Sequence, residues 1–371
     1  MNLERYDRQM RLPEVGEAGQ QSLSASVAVL VGVGGLGAPA ALYLAAAGVG
    51  TLRLVDFDRV DRSNLHRQVL YTEADVGRPK VEAAADRLRE RNPDIQVETI
   101  NAPFGPDNAF RVLQGADVVL DGTDAFATRY LVNDAAHLCS VPNVFASVSS
   151  FDIQSFVSAP GGPCYRCVFP EPPPAHLAPS CAEAGVLGVV PGLAGMIQAT
   201  EALKVLLCLG DLLVGRLLVW DLLTMRSREI IVETDPDCPL CGDNPEIETF
   251  DDAVRLTEAV CGPLPVPVPT LTVRELKARL DAGERPFLLD VRSADEHAFA
   301  DIGGSALIPL PELATRLGEL EGVDDLVVYC RSGARSATAV SLLERNGIRA
   351  TNLQGGILAW SDEIDPSVPT Y

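Results

Sequence analysis

The segment Gly32-Val-Gly34-Gly35-Leu-Gly37 constrains this chain more than any other. An apolar, β-branched run at 26–31 (SVAVLV) leads into it, and an alanine-rich stretch at 39–47 leaves it. A strand that feeds a glycine turn and then a helix gathers free N–H groups at one point. Glycine permits the tight turn and close backbone approach, and the helix N-terminus favours an anion. Asp56 stands 24 residues beyond Gly32, at the end of a second strand-like run at 51–55 (TLRLV), where a carboxylate can hold ribose hydroxyls. The alternation continues with a helix at 80–91 and strands at 95–100 and 116–120. Such alternation predicts an α/β chain with a Rossmann-like, doubly wound, mostly parallel sheet. A bare strand–helix turn accounts for the glycines alone, and a nicotinamide dehydrogenase shares them.

Residues further along separate these readings. Asp58, Asn64, Arg67, Gln68 and Lys80 place polar and cationic groups shortly after Asp56, which suits a triphosphate better than a nicotinamide. Asp121 and Asp124 follow the strand at 116–120, at the edge where open α/β sheets bind ligands. A carboxylate there can hold Mg2+ against phosphate oxygens and stabilise leaving pyrophosphate. Surface charge is the plain account of any one of them.

Nine cysteines in 371 residues do not form a disulfide scaffold. Cys164-x-x-Cys167 and Cys238-x-x-Cys241 are two knuckle-like pairs, and four thiolates can close a tetrahedral structural Zn2+ site. The 70 residues between the pairs exceed a compact ribbon. Cys181 lies in a stretch bounded by proline and glycine, where an inert loop thiol is the plain reading. Cys139 and Cys208 sit in apolar, helix-like surroundings expected in the core. Cys261 shows no evident role. The histidines at 66, 137, 176 and 297 show no ligand spacing.

Lys plus Arg number 30 against 51 Asp plus Glu, so the formal net charge is -21, which repels nucleic acid and anionic membranes. The first ten residues lack the apolar stretch of a secretory signal. Apolar runs such as 184–197 are cut by Gly188, Pro191, Gly192 and Gly195. A cytoplasmic protein is expected.

Residues 242–252 are acidic and turn-rich, and 261–269 (CGPLPVPVP) hold four prolines, so a linker is expected across 243–268. It divides a first domain, 1–242, from a smaller α/β domain, 269–371. In the latter an apolar strand at 326–329 runs into Cys330-Arg331-Ser332-Gly333-Ala334-Arg335-Ser336 and a helix. Backbone N–H groups and the helix dipole then face the sulfur, and Arg331 and Arg335 add positive charge. That cradle would lower the thiol's pKa and hold a persulfide anion. Cysteine phosphatases use a similar turn with five residues between Cys and Arg; here four separate Cys330 from Arg335.

At this point two resemblances are carried by the residues. Residues 1–242 resemble the ubiquitin-activating superfamily, specifically its prokaryotic ThiF/MoeB members that adenylate sulfur carriers. The matching stretches are 4–12 (ERYDRQMRL), 32–39 (GVGGLGAP), 56–58, 64–70 (NLHRQVL), 121–124 (DGTD), 164–170 (CYRCVFP) and 181–188 (CAEAGVLG). Residues 269–362 are similar to the rhodanese family through the Cys330 loop, 289–292 (LDVR), Glu296, Phe299 and 352–360 (NLQGGILAW). The first resemblance implies ATP, with Asp56 on the ribose, Arg67 and Lys80 on the triphosphate and Asp124 on Mg2+. Arg8 would reach into a partner subunit's site, so a homodimer is implied. Structural Zn2+ on the four paired cysteines gains support from it. Cys181 would lie in a mobile crossover loop and attack the acyl-adenylate or form a disulfide with the carrier.

The implied partner is a ubiquitin-like sulfur-carrier protein ending in Gly-Gly, with a cysteine desulfurase or thiosulfate as sulfur donor. Together the domains would adenylate the carrier and convert it to a thiocarboxylate through a Cys330 persulfide. Two alternatives stay open: a rhodanese domain that only docks partners, and conjugation through a durable thioester on Cys181.

Overall fold

The computed structural model describes residues 3–171, 185–261, 268–320 and 322–370. They fall into two compact units, Met1–Leu264 and Pro265–Tyr371.

In the first unit, eight strands make one sheet ordered 3-2-1-4-5-6-7-8. They are β1 (Val27–Val31), β2 (Thr51–Val55), β3 (Gln96–Ile100), β4 (Val118–Asp121), β5 (Asn143–Ser149), β6 (Asp152–Ser158), β7 (Arg216–Asp221) and β8 (Arg226–Ile231). The strands from β3 to β5 pair in parallel. Ala28, Val29 and Leu30 of β1 are buried under helices on both faces, which is why this strand reads as an unbroken apolar run. β2 and β4 flank β1, so the strand order reverses at the C-terminal ends of β1 and β4. Open α/β sheets bind ligands at such a point, and the glycine turn occupies it. Gly32 has φ +87°, and a Cβ on Gly37 would stand 2.0 Å from the Gly32 carbonyl oxygen. These two positions require glycine.

The remaining strands pair antiparallel. β5 turns directly into β6 through Ser150 at φ 52°, too short a connection for a helical crossover. The helix Val189–Leu207 is long and apolar enough, by length and composition alone, to cross a membrane. It packs instead on β5, β6 and the helix Gly37–Ala47, and buries Gln198 and Glu201.

The chain is already folded within the expected linker 243–268. Ile247 is buried, and the helix Phe250–Cys261 packs on Phe126–Leu138 with Ala253 and Thr257 fully covered. Thr249 and Asp252 cap that helix: the Thr249 backbone N–H and Oγ1 donate to Asp252 Oδ2, and the Asp252 N–H donates back to Thr249 Oγ1. Of the acidic residues that suggested a linker, Asp251 and Asp252 form the first turn of this helix.

The second unit holds β9 (Thr270–Thr272), β10 (Phe287–Asp290), β11 (Ala306–Leu307), β12 (Leu326–Tyr329) and β13 (Ala350–Gln354), ordered 11-10-12-13-9 and parallel throughout. All four residues of β12 are buried. This strand delivers Cys330 to the sheet's C-terminal edge, where the helix Ala334–Arg345 begins.

Candidate active sites and metal centre

Asp56 ties the glycine turn to the strand that follows it. Its Oδ2 accepts the Val33 N–H at 2.8 Å and its Oδ1 accepts the Asp58 N–H at 2.9 Å. Lys80 opens the helix Lys80–Arg91, and its Nζ donates to Asp58 Oδ2 at 2.8 Å. Burial pushes Asp56 above the usual carboxylate range, against the pull of Lys80. Burial works to lower Lys80, but Asp56 and Asp58 together hold it above its ordinary value. Lys80 therefore stays a buried cation, suited to phosphate oxygens.

Asp121 is buried. Its Oδ1 accepts from Thr123 Oγ1 at 2.7 Å and from the Thr123 N–H, while Oδ2 has no hydrogen-bond partner among the described residues. Burial pushes its pKa up, opposed chiefly by Arg129. Asp124 is exposed and close enough to act electrostatically on both Lys80 and Asp121. The buried Gln68 Oε1 likewise lacks a partner among the described residues, and Gln68 Nε2 lies 3.6 Å from where a Gly34 Cβ would stand. Arg67 Cδ is 3.6 Å from the corresponding point at Gly35. Orphaned oxygens and a buried cation around an open glycine turn fit a polyanion carrying a divalent cation.

The four paired cysteines come together as expected, every sulfur within 4.8 Å of the others. The Sγ–Sγ separations of 3.9 Å for 164–167, 3.6 Å for 164–238 and 3.3 Å for 167–241 bracket the roughly 3.8 Å edge of a tetrahedral Zn–S4 site. The hydrogen bond with Cys164 draws the Cys167 thiol below its ordinary range. Beside the cluster, Arg166 is buried in a two-point pair with Asp134, Nε–Oδ1 2.9 Å and Nη2–Oδ2 2.7 Å, and Nη2 also donates to Thr257 Oγ1 at 3.1 Å. The cysteine cluster, the ion pair and the helix Phe250–Cys261 thus form one packed corner.

Cys330 is only 1% exposed, and its Sγ accepts from the Gly333 N–H at 3.1 Å and from Ser336 Oγ at 3.4 Å. Gly333 has φ +98°, which bends the loop around the sulfur. The Cys330 and Arg331 carbonyls are satisfied by the N–H groups of Ile357 and Leu358. A Cβ on Gly356 would stand 2.3 Å from the Cys330 carbonyl oxygen. Arg335 is bound at two points by Glu296, both at 2.7 Å.

Residues 6–240 match the ThiF family, and residues 272–363 match the rhodanese-like domain. The chain belongs to the ThiF family. It is 42% identical to the probable adenylyltransferase/sulfurtransferase MoeZ of Mycobacterium tuberculosis, across 99% of this chain and 95% of that protein. It is 49% identical to a sulfur carrier protein adenylyltransferase of Thermus thermophilus, across 70% of this chain and 97% of that one. Among solved structures, E. coli MccB with MccA-N7isoASN superposes with a TM-score of 0.58 over 65% of this chain and 75% of that chain. At 22% identity it shows the fold alone. The chain is an enzyme, of the adenylyltransferase and sulfurtransferase class.

The structure gathers most of the residues singled out in the ThiF unit. Gly32, Gly34, Gly35, Gly37, Asp56, Asp58, Lys80, Gln68 and Arg67 line the turn, with Asp121 and Asp124 across from it. Asn64 lies in the short turn Arg62–Asn64, where its Nδ2 donates to Ser63 Oγ. Arg8 does not join its own chain's turn. It is exposed on the helix Leu3–Met10, which docks through Tyr6 onto Gly48 and Asn92, at the opposite edge of the sheet. Cys181 and His176 lie outside the described residues.

Other expectations need correction. Arg335 does not offer a bare cation to the sulfur, because Glu296 neutralises it. Cys208 is exposed, not core: it terminates Val189–Leu207 in a left-handed conformation at φ 51°. Cys139 is only half-buried. His297, for which no ligand spacing was read, is bonded through Nδ1 to Asp290 at 2.9 Å, which leaves that expectation unchanged. The contact that sequence reasoning missed is Ser336. Its one visible signal is a small hydroxyl residue immediately after the loop, inside the first turn of the helix.

Proposed function

We propose that the ThiF unit adenylates the C-terminal carboxylate of a ubiquitin-like sulfur-carrier protein ending in Gly-Gly, and that Cys330 supplies the sulfur. The observation that carries this reading is a buried sulfur met by two hydrogen-bond donors at a helix N-terminus, in the same chain as a phosphate-binding turn. The carrier carboxylate attacks the α-phosphate of ATP, giving an acyl-adenylate and pyrophosphate. Asp56 positions the ribose, and Arg67 and Lys80 bind the phosphates. Asp124 would hold Mg2+, which neutralises phosphate charge. Arg8 from a second copy of the chain completes the site, so the active form is a homodimer. The four paired cysteines would hold Zn2+, which supplies a structural cross-link.

A Cys330 persulfide, loaded from thiosulfate or a cysteine desulfurase, then attacks the acyl carbon and expels AMP. This leaves the carrier joined to Cys330 through an acyl disulfide. A thiol, with Cys181 as the chain's own candidate, attacks Cys330 Sγ, breaks the S–S bond and releases the carrier thiocarboxylate. A reducing, cytoplasmic setting suits these exchanges. Two measurements test the reading: carrier-dependent exchange of pyrophosphate into ATP, lost when the carrier's last glycine is trimmed, and a persulfide on Cys330 seen by mass. Exchange without any persulfide would leave the rhodanese unit a docking domain.

A further inference from the structure

The Ser336 hydroxyl carries one proton and has three acceptors in reach. They are Asn352 Oδ1 at 2.7 Å, the Gly333 carbonyl at 3.1 Å and Cys330 Sγ at 3.4 Å. The two side chains come from separate elements. Ser336 lies in the first turn of Ala334–Arg345, and Asn352 lies on β13 opposite Val328 of β12, two residues before Cys330. Ser336 is fully buried and Asn352 nearly so. Water therefore cannot replace either group, and a buried donor must choose among its fixed partners.

We propose that Ser336 is a catalytic residue of sulfur transfer and that Asn352 is its positioning partner. With a neutral thiol on Cys330 the proton rests on Asn352, the shortest of the three contacts. When the sulfur becomes an anion, thiolate or persulfide, the hydroxyl turns about its C–O bond and donates to it, because a charge-assisted bond outweighs a neutral one. No bond between heavy atoms is made or broken in this step. Asn352 holds the Ser336 rotamer on the sulfur's side of the helix and acts only through it. The Gly333 N–H is the fixed donor and Ser336 the switchable one. The loop can thereby serve both a neutral thiol and an anion without Arg335, which Glu296 keeps occupied.

This inference rests on the sulfurtransferase reading above, and the experiment separates the two. The full-length protein is loaded with thiosulfate, and persulfide on Cys330 is followed by intact mass, together with the kcat and KM for transfer to cyanide. Wild type must load from thiosulfate or, failing that, from a persulfide-loaded cysteine desulfurase; if neither donor loads it, the sulfurtransferase reading itself fails. Ser336→Ala is expected to lower kcat about tenfold, with carrier-dependent pyrophosphate exchange by the ThiF unit unchanged. Asn352→Ala should lower kcat less, and should have no further effect in the Ser336→Ala background, since a residue acting only through Ser336 cannot act without it. Additive losses in the double variant would overturn the assignment, because they would mean two independent structural roles. Unchanged kcat in Ser336→Ala would overturn it as well. Should Ser336→Ala melt the rhodanese unit, the mutually isosteric pair Ser336→Thr and Ser336→Val decides. The assignment requires loading with Thr and loss with Val, and equal rates would refute it.

Discussion

The turn after β1 and the loop after β12 are built alike: a buried parallel strand, a glycine-bearing loop and a helix N-terminus at the sheet's C-terminal edge. Each aims backbone N–H groups at a single point. Around the first turn the chain adds charge, with Asp56, Asp58 and Lys80 in contact and Asp124 nearby, and buried oxygens on Gln68 and Asp121 find no partner among the described residues. Around the second it removes charge, pairing Arg335 with Glu296 and closing over a sulfur that is 1% exposed. The same backbone device therefore serves two chemistries. One site is open and suited to a large polyanion with a cation; the other is closed around one polarisable atom. Topology places the donors, and side-chain charge decides what they meet.

The comparison breaks most cleanly at Cys330. Cys330→Ala is expected to reduce sulfur transfer to background while leaving carrier-dependent pyrophosphate exchange within about twofold of wild type; loss of both would show that the two loops are not separate modules. Gly37→Ala is the converse. Its new Cβ would meet the Gly32 carbonyl at 2.0 Å, so the ThiF unit should lose about 1–3 kcal/mol and most of its exchange activity. Persulfide loading on Cys330 should persist.

Third in size is the cysteine corner. Chelation, or Cys238→Ser, is expected to lower the melting temperature of the ThiF unit by roughly 10 °C and to release the helix Phe250–Cys261 to hydrogen exchange, with the rhodanese transition unmoved. A ThiF transition indifferent to chelators would remove the metal from the account. The smallest effect is a pH dependence. Lys80 is held above its ordinary 10.5 by Asp56 and Asp58, so the folded form binds its proton more tightly than the unfolded one. That contribution is fully present below pH 10.5 and lost as pH rises through the folded value. The melting temperature of Lys80→Met should accordingly fall less steeply than that of wild type above pH 10.5.

What was legible in the sequence follows the physics of burial. Thr51–Val55, Lys80–Arg91 and Leu326–Tyr329 stand at the bounds read for them, because apolar runs and helical periodicity mark segments covered by the core. The antiparallel extension β6 to β8 was not legible. β8 is exposed along its whole length, so no burial pattern marks it, and its place follows from a hairpin. The helix Phe250–Cys261 read as linker because, among its residues whose burial is described, only a narrow face, Ala253 and Thr257, is fully buried. In the sulfur loop the sequence placed Cys330 between a buried strand and a helix, as the structure has it. The role of Ser336 depends on Asn352, sixteen residues away and brought alongside only by the parallel pairing of β12 with β13. Likewise the neutralisation of Arg335 depends on Glu296, 39 residues upstream.

The central claim is that one chain performs both activation and sulfur delivery. Its most direct test is the intact mass of a sulfur carrier ending in Gly-Gly, after incubation with this protein, Mg-ATP and thiosulfate or a persulfide-loaded cysteine desulfurase. The account expects a mass gain matching one oxygen replaced by sulfur, dependent on both ATP and Cys330. Pyrophosphate release with the carrier's mass unchanged under both donors would contradict it.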